Sequence, residues 1–167
     1  SSGEIHKKTI RLTNSFITKL GYENSNARFF PINSILIALA GQGKTRGTVA
    51  ITEIETTSNQ SIAAIIPNEE YVEPYYLYYQ LDTMYEELRS ISSGAGRAGL
   101  SLRIIREISV KLPSKEEQKK IVEILLKVDD IINKERESLN KTLLMKNGLM
   151  QDLLTGKVRI KEQVVNE

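Results

Sequence analysis

The sequence contains no cysteine, no tryptophan and a single histidine among its 167 residues. Without cysteine, a disulfide framework, a thiolate zinc site, an iron–sulfur cluster and a thiol nucleophile are all excluded. The lone histidine, His6, has no second histidine with which to build a metal centre, and we interpret it as a solvated surface residue. The paired acidic residues are most simply solvated surface. Nothing in the chain therefore nominates a catalytic group, a metal site or a cofactor site.

Long hydrophobic runs are also missing. The longest uninterrupted apolar stretch covers residues 35–40, far short of the roughly 20 residues that a membrane-spanning helix needs. The N-terminus does not have the charged and then apolar layout of a signal peptide. We therefore expect a cytoplasmic protein with no membrane association.

The composition that remains is that of an ordinary globular protein, 40% apolar and 26% charged, with a formal net charge of +2. The charges are sorted by segment, because residues 1–51 carry seven Lys/Arg against two acids, whereas residues 53–87 carry eight acids and no base. From Arg89 to Lys111 the chain is basic again. Two basic segments that flank an acidic one could form one anion-binding surface, and scattered solvated charge is the equally good alternative.

Short apolar stretches bounded by turn residues predict three β-strands, over residues 35–40, 48–51 and 62–66. Helical spacing of apolar residues behind Pro74 predicts a helix over 74–90, whose tyrosines are expected to be half-buried packing residues. Ser101 is expected to cap a short helix.

The alternation over residues 108–112 predicts one more strand before Pro113. The fold class is thus α+β, with a small, mostly antiparallel sheet and helices in a domain spanning residues 1–113.

The clearest signal lies beyond that domain. Ser114 followed by Glu117 forms a capping box, and no proline or glycine follows until Gly148. We predict a helix over 114–156, about 60 Å long at about 1.5 Å per residue, followed by a tail over 157–167. Its apolar stripe is too long for the small domain to bury, which favours a coiled coil over a lone solvated helix. The predicted seam residues are Ile121, Leu125, Val128, Ile132, Leu139, Leu143, Met150 and Leu153.

The segment Gly41-Gln42-Gly43-Lys44-Thr45 looks at first like a nucleotide-binding P-loop. Ala38, however, stands where the motif needs its first glycine, and strand-like sequence follows the segment instead of a helix. A small P-loop ATPase is therefore the weaker interpretation.

The same glycine-rich turn, residues 41–47, suits DNA as its anion. Glycines allow close backbone approach, while Gln42, Lys44 and Arg46 supply donors for phosphates or base edges. A purely structural turn is the alternative, and the amides of Asn59 and Gln60 could equally read bases or tie a turn. The candidate DNA-binding residues are Gly41, Gln42, Gly43, Lys44, Thr45, Arg46, Gly47, Asn59, Gln60, Gly94, Arg97 and Arg103.

Taken in order, several segments resemble the specificity subunit of Type I restriction-modification enzymes. The most specific are Leu112-Pro113 with Glu117-Gln118, and the end Gly148-Leu-Met-Gln-Asp-Leu-Leu-Thr-Gly-Lys157. The glycine-rich turn is characteristic of one class of target-recognition domains in that family. The resemblance implies a non-catalytic subunit that reads one half of a bipartite DNA target and scaffolds methyltransferase subunits.

In that family two recognition domains are each followed by a long helix, and the two helices pair antiparallel. This chain has a single domain, shortened at its N-terminal side, which fits a fragment, a truncated product or a natural half-subunit that dimerises. The partners implied are double-stranded DNA, methyltransferase subunits with the motor subunit behind them, and a second copy or another specificity half. A coiled-coil adaptor whose head binds protein is the other alternative.

Overall fold

The computed structural model describes residues 1–5, 8–41, 43–93 and 100–160. Contacts between Cα atoms divide the chain into two compact units, Ser1–Val122 and Glu123–Glu167. We call the first unit the head and residues 123–160 of the second the arm. Among the described residues, no helix is both long enough and apolar enough to cross a membrane.

A four-stranded sheet forms the centre of the head. Its strands in chain order are β1 (Thr9–Ile10), β2 (Ile35–Ala38), β3 (Val49–Thr52) and β4 (Ile62–Ile65). The spatial order is β1-β3-β2-β4, with β2 antiparallel to both β3 and β4 and with β1 parallel to β3. The three predicted strands and the mostly antiparallel sheet are confirmed. Strand β1, with only two residues, is too short to leave a pattern in the sequence.

Both faces of the two central strands are buried, which is why β2 is wholly apolar and β3 is apolar up to the buried Thr52, without polar alternation. Ile35 and Ile37 point to one face, where they join the core under the helices. Leu36 and Ala38 point to the other face and pack with a smaller cluster that includes Ile5.

Within the described residues, five α-helices accompany the sheet: α1 (Lys19–Glu23), α2 (Pro74–Thr83), α3 (Tyr85–Ser93), α4 (Leu102–Arg106) and α5 (Lys115–Leu154). The helix predicted over 74–90 is therefore two helices, which meet at Met84. The Thr83 hydroxyl donates to the carbonyl of Gln80 at 2.7 Å, and the Met84 N–H donates to Leu81 at 3.1 Å, so the last turn of α2 closes tightly and ends.

Helices α2, α3 and α4 cover one face of the sheet, through Leu77, Leu81, Leu88 and Ile105. The tyrosines of α2 pack as predicted, since Tyr76 and Tyr78 are buried and Tyr75 and Tyr79 lie partly buried against the same core.

The strand predicted over residues 108–112 is wrong. The segment has no sheet partner among the described residues and lies against α2 instead. There the Tyr76 hydroxyl donates to the Lys111 carbonyl at 2.9 Å, and the Lys111 N–H donates to Gln80 at 3.4 Å. Ile108 and Val110 pack on the core while Ser109 between them is exposed, so the alternation reflects burial and not strand pairing.

Helix α5 forms over 40 residues, as the sequence predicts. Ser114 caps it, because its hydroxyl accepts the Glu117 N–H at 3.3 Å. Gly156, with φ of +73°, follows its end, and its N–H donates to Leu153 at 3.2 Å. The first two turns belong to the head, where Gln118 and Val122 are buried.

A small charged cluster ties the segment after β1 to β3 and α2. The Arg11 Nε donates to Glu53 at 2.6 Å, and the Tyr75 hydroxyl donates to the same carboxylate at 2.9 Å. The hydrogen bond from Arg11 lowers the pKa of Glu53, and burial raises the pKa of Tyr75. Ionised Glu53 therefore stabilises the fold at neutral pH.

Substituting Glu53→Gln should lower the urea midpoint slightly at pH 7, and the difference from wild type should shrink at acid pH. A carboxyl whose folded pKa is lowered stabilises above its unfolded pKa, and that stability is lost as pH falls through the folded value. The effect is small, because the Arg11 side chain is 74% exposed. Urea titrations at stepped pH test it, with Glu55→Gln at an exposed site as control. A difference that persists unchanged below the carboxyl titration would contradict it.

Candidate nucleic-acid interface

The glycine-rich turn joins β2 to β3 at one end of the sheet, where β2 ends and β3 begins. Gly41, Gly43 and Gly47 have φ of +141°, +63° and +84°, a region that favours glycine. A Cβ on Gly41 would lie 2.8 Å from the Cβ of Thr45, so a side chain does not fit there. The turn closes where the Gly47 N–H donates to the Ala38 carbonyl at 2.9 Å. The glycines therefore permit this backbone path.

Helix α3 holds the carbonyl side of the turn. The Tyr85 hydroxyl donates to the Lys44 carbonyl at 2.7 Å. The Arg89 Nη1 donates to the Gly43 carbonyl at 2.7 Å and lies 3.5 Å from that of Arg46. Arg89, one of the basic residues that follow the acidic segment in the sequence, thus binds the turn of its own chain.

Several donors of the turn have no partner among the described residues. Lys44 is exposed, Arg46 is half-buried, and the Arg46 Nε is buried with no hydrogen-bond partner in the described part of the chain. Within the same described residues, no acceptor binds the backbone N–H groups of residues 43–46. The Thr45 carbonyl accepts the Thr48 N–H at 3.1 Å, inside the turn. This turn combines occupied carbonyls with unpaired N–H groups and two cationic side chains, which suits an anion.

Gln42 lies outside the described residues, as do Gly94 and Arg97. Strand β3 follows the turn directly, as the sequence predicts, so the helix that a P-loop requires after its lysine and threonine is not formed there.

Asn59 and Gln60 lie at the same end of the sheet as the glycine-rich turn. Strand β4 is antiparallel to β2, and the Leu39 N–H donates to the Ser61 carbonyl at 2.8 Å, so the start of β4 lies beside the end of β2. The Asn59 Oδ1 accepts the Ser61 N–H at 3.1 Å and ties the turn, whereas Gln60 is exposed. Both side chains are exposed, and among the described residues only the Oδ1 of Asn59 is occupied within the turn.

The chain also returns to this end of the sheet at Leu100, whose N–H donates to the Leu39 carbonyl at 3.0 Å. Ser101 then caps α4 as predicted, since its hydroxyl accepts the Ile104 N–H at 3.3 Å. Arg103 on α4 is exposed and lies 3.5 Å from Glu107. Sheet pairing thus brings the glycine-rich turn, Gln60 and Leu100 together, although they are up to 59 residues apart in the sequence.

A groove of about 760 Å³ opens beside Asn59 and Gln60 and is missing from the sequence predictions. Its lining comes from four separate segments and includes the exposed side chains of Phe16 and Arg28. Because those segments share no sequence motif, only the folded chain reveals the groove.

The arm exposes the seam that the sequence predicts. Ile121 lies within the head, and both Ile121 and Leu125 are half-buried. The others retain between 40% and 58% of their exposure, namely Val128, Ile132, Leu139, Leu143, Met150 and Leu153. Near the end of α5, Met145 and Leu149 extend this apolar surface, which the three-and-four spacing did not identify.

Comparison with known proteins gives one family. The family model described as Type I restriction modification DNA specificity domain matches residues 2–141. The Type I restriction enzyme MjaIX specificity subunit of Methanocaldococcus jannaschii is 34% identical over 132 residues, covering 77% of this chain and 30% of the relative. The putative MjaX specificity subunit of the same organism is 31% identical over 118 residues, covering 69% and 27%. The chain thus spans about three tenths of the length of these curated relatives.

Two solved structures share the fold. The type I restriction-modification S subunit of M. genitalium superposes with a TM-score of 0.58 at 20% identity, covering 72% of this chain and 32% of that chain. A chain from a structural study of complex assembly and conformational transition of the type I R-M system superposes with a TM-score of 0.62 at 19% identity, covering 74% and 30%. At these identities the likeness establishes the fold alone.

Proposed function

The chain belongs to the Type I restriction-modification DNA specificity family, and from that premise we propose that it is a sequence-specific DNA recognition component. It reads one half of a bipartite target and scaffolds methyltransferase subunits, through which the motor subunit joins. Its own role is not catalytic and is performed in the cytoplasm. The observation that carries the DNA proposal is the turn at residues 41–47. Its Gly43 and Lys44 carbonyls are held by α3, whereas the Arg46 Nε and the backbone N–H groups of residues 43–46 have no partner among the described residues.

The turn divides its contacts by chemistry. Exposed Lys44 is a point charge suited to a phosphate, whereas Arg46 and Gln42 carry the planar donors that match guanine and adenine edges in the major groove. The exposed Gln60, at the same end of the sheet, widens this surface. The further contacts proposed for DNA are Asn59, Gly94, Arg97 and Arg103.

Three substitutions in the turn test the DNA proposal in the complex assembled with methyltransferase subunits. Lys44→Ala should weaken binding to all duplexes alike and flatten the salt dependence by about one unit, because one phosphate contact is lost. Arg46→Ala or Gln42→Ala should cost about 1 to 3 kcal/mol on target DNA only. Filter binding over a salt series measures both effects.

Lys141→Ala is the matched control, because this lysine is exposed on the arm, away from the turn in sequence and in its own structural unit. If the three turn variants all bind and select DNA as wild type does, the turn is a structural connection and the DNA proposal for it fails. A complex with no salt-dependent DNA affinity at all would favour the adaptor alternative.

The arm supplies the assembly function. We propose that its exposed seam pairs with the corresponding helix of a second copy or of another specificity half. An apolar stripe that keeps about half of its surface exposed from Val128 to Leu153 favours a partner helix over solvent.

A further inference from the structure

Helix α3 turns one face toward the glycine-rich turn. Tyr85, Leu88 and Arg89 have the i, i+3, i+4 spacing that places side chains on one side of a helix. Leu88 is fully buried in the core, so it fixes the orientation of this face. Gly47 packs directly on it, since a Cβ there would lie 3.4 Å from the Arg89 Cγ and 3.5 Å from the Leu88 Cβ. The turn therefore rests on α3.

Two polar side chains of that face contact three backbone carbonyls of the turn. Tyr85 donates to the Lys44 carbonyl, and Arg89 donates to the Gly43 carbonyl and approaches that of Arg46. Arg89 also donates to the Tyr85 hydroxyl at 3.0 Å, and its guanidinium lies 5.3 Å from the centre of that ring. The two side chains thus support one another, and each of them holds the backbone from which Lys44 and Arg46 project.

A turn with three glycines in seven residues needs such support. Glycine has more backbone freedom than any other residue, so an unsupported turn of this composition samples many conformations and loses that freedom when it binds. Freezing it before binding removes part of the ordering cost from the association.

We propose that Tyr85 and Arg89 are positioning residues for DNA recognition, which act through the turn backbone and not through contact with DNA. This inference rests on the proposed DNA function and deepens it, because it assigns two residues that no sequence motif includes. They fix the geometry of Lys44 and Arg46 relative to one another. Without this geometry, Lys44 and Arg46 can still reach phosphates. The affinity for the target sequence should therefore fall more than the affinity for other sequences.

The experiment uses the full chain in the complex assembled with methyltransferase subunits, together with two DNA probes. One is a duplex enriched by wild type from a random-sequence library, and the other is a scrambled duplex of the same length and composition. Tyr85→Phe removes a single oxygen atom and should weaken binding to the enriched duplex about 5-fold, with little change on the scrambled duplex. Its thermal midpoint and its salt dependence should match those of wild type, because no phosphate contact is lost.

Variants at Arg89 separate positioning from direct contact. Arg89→Ala should weaken binding to the enriched duplex by about 10-fold or more without changing the salt slope, and Arg89→Lys should recover part of that loss. A salt slope flatter by about one unit in Arg89→Ala would show that this arginine touches phosphate, which would overturn the inference. Tyr71→Phe, at a tyrosine that is 61% exposed, is the matched control.

The two levels of the argument fail differently. If wild type enriches no duplex, the proposed DNA function is overturned and this inference with it. If wild type enriches a duplex and Tyr85→Phe and Arg89→Ala bind both probes as wild type does, the DNA function stands and the inference alone is overturned.

Discussion

Replacing Gln118 by alanine is expected to lower the free energy of unfolding of the head by about 2 to 4 kcal/mol, which is a large part of a typical domain's stability. Gln118 is 1% exposed, and its Oε1 accepts the Glu73 N–H at 2.8 Å. Its Nε2 donates to the carbonyls of Tyr71 and Pro113 at 3.1 and 2.9 Å. The alanine variant leaves these three backbone groups without their partner and leaves a cavity beside them.

Urea unfolding followed by circular dichroism, at one fixed protein concentration, measures this effect. Lys119→Ala, at the neighbouring exposed residue of the same helix turn, is the control and should stay within about 0.5 kcal/mol of wild type. Gln118→Met fills similar volume without polar atoms and should remain strongly destabilised, because the buried N–H of Glu73 still lacks an acceptor. Equal stability of Gln118→Ala and Lys119→Ala would show that the buried amide does not hold α5 to the head.

Two aspartates in the seam should separate the proposed pair of arms. In Ile132→Asp/Leu139→Asp, each substitution removes a buried apolar contact of order 2 kcal/mol and places a charge in it, so the dissociation constant should rise about a thousandfold or more. Sedimentation at tens of micromolar should then change from dimer or larger to monomer.

Lys141→Asp carries the same new side chain and lies about 200° around the helix from Leu139, at about 100° per residue. It should therefore leave the assembly intact. A wild-type chain that sediments as a monomer while its helix is folded would remove the proposed pairing. So would a double variant that assembles as well as wild type.

Local sequence patterns predicted most elements of the fold. The short apolar runs at β2 and β3 follow from burial on both faces of the sheet, and the capped stripe of α5 follows from apolar residues that repeat at helical spacing. The same logic failed over residues 108–112, where Ile108 and Val110 pack on the core but the segment pairs with no strand among the described residues. Periodicity reports which side chains are covered, and it does not report what the backbone hydrogen bonds join.

The candidate interface divides in the same way. The glycines and cations of residues 41–47 could be identified from composition, because a turn of that kind needs glycine and an anion needs donors. Tyr85 and Arg89 could not be identified in this way, because their partners are backbone carbonyls 41 and 46 residues away. Every residue type has the same backbone carbonyl, so the sequence does not mark these partners. Gln118 stood within a recognisable motif, yet its burial against the loop before α2 is a property of the packed head.

By itself, the sequence determined the absence of cysteine chemistry, the α+β character, the long amphipathic helix and the family. The first follows from composition, the second and third follow from the spacing of apolar residues, and the family follows from sequence motifs. Tertiary structure alone decided which loops lie together at one end of the sheet. Antiparallel pairing of β2 with β3 and β4 brings the glycine-rich turn and Gln60 to one end of the sheet, and the bond from Leu100 to Leu39 returns the chain there after α3. The physical reason is that such contacts join residues far apart in the chain through backbone hydrogen bonds, which every residue except proline can make and which therefore leave no residue-specific signature.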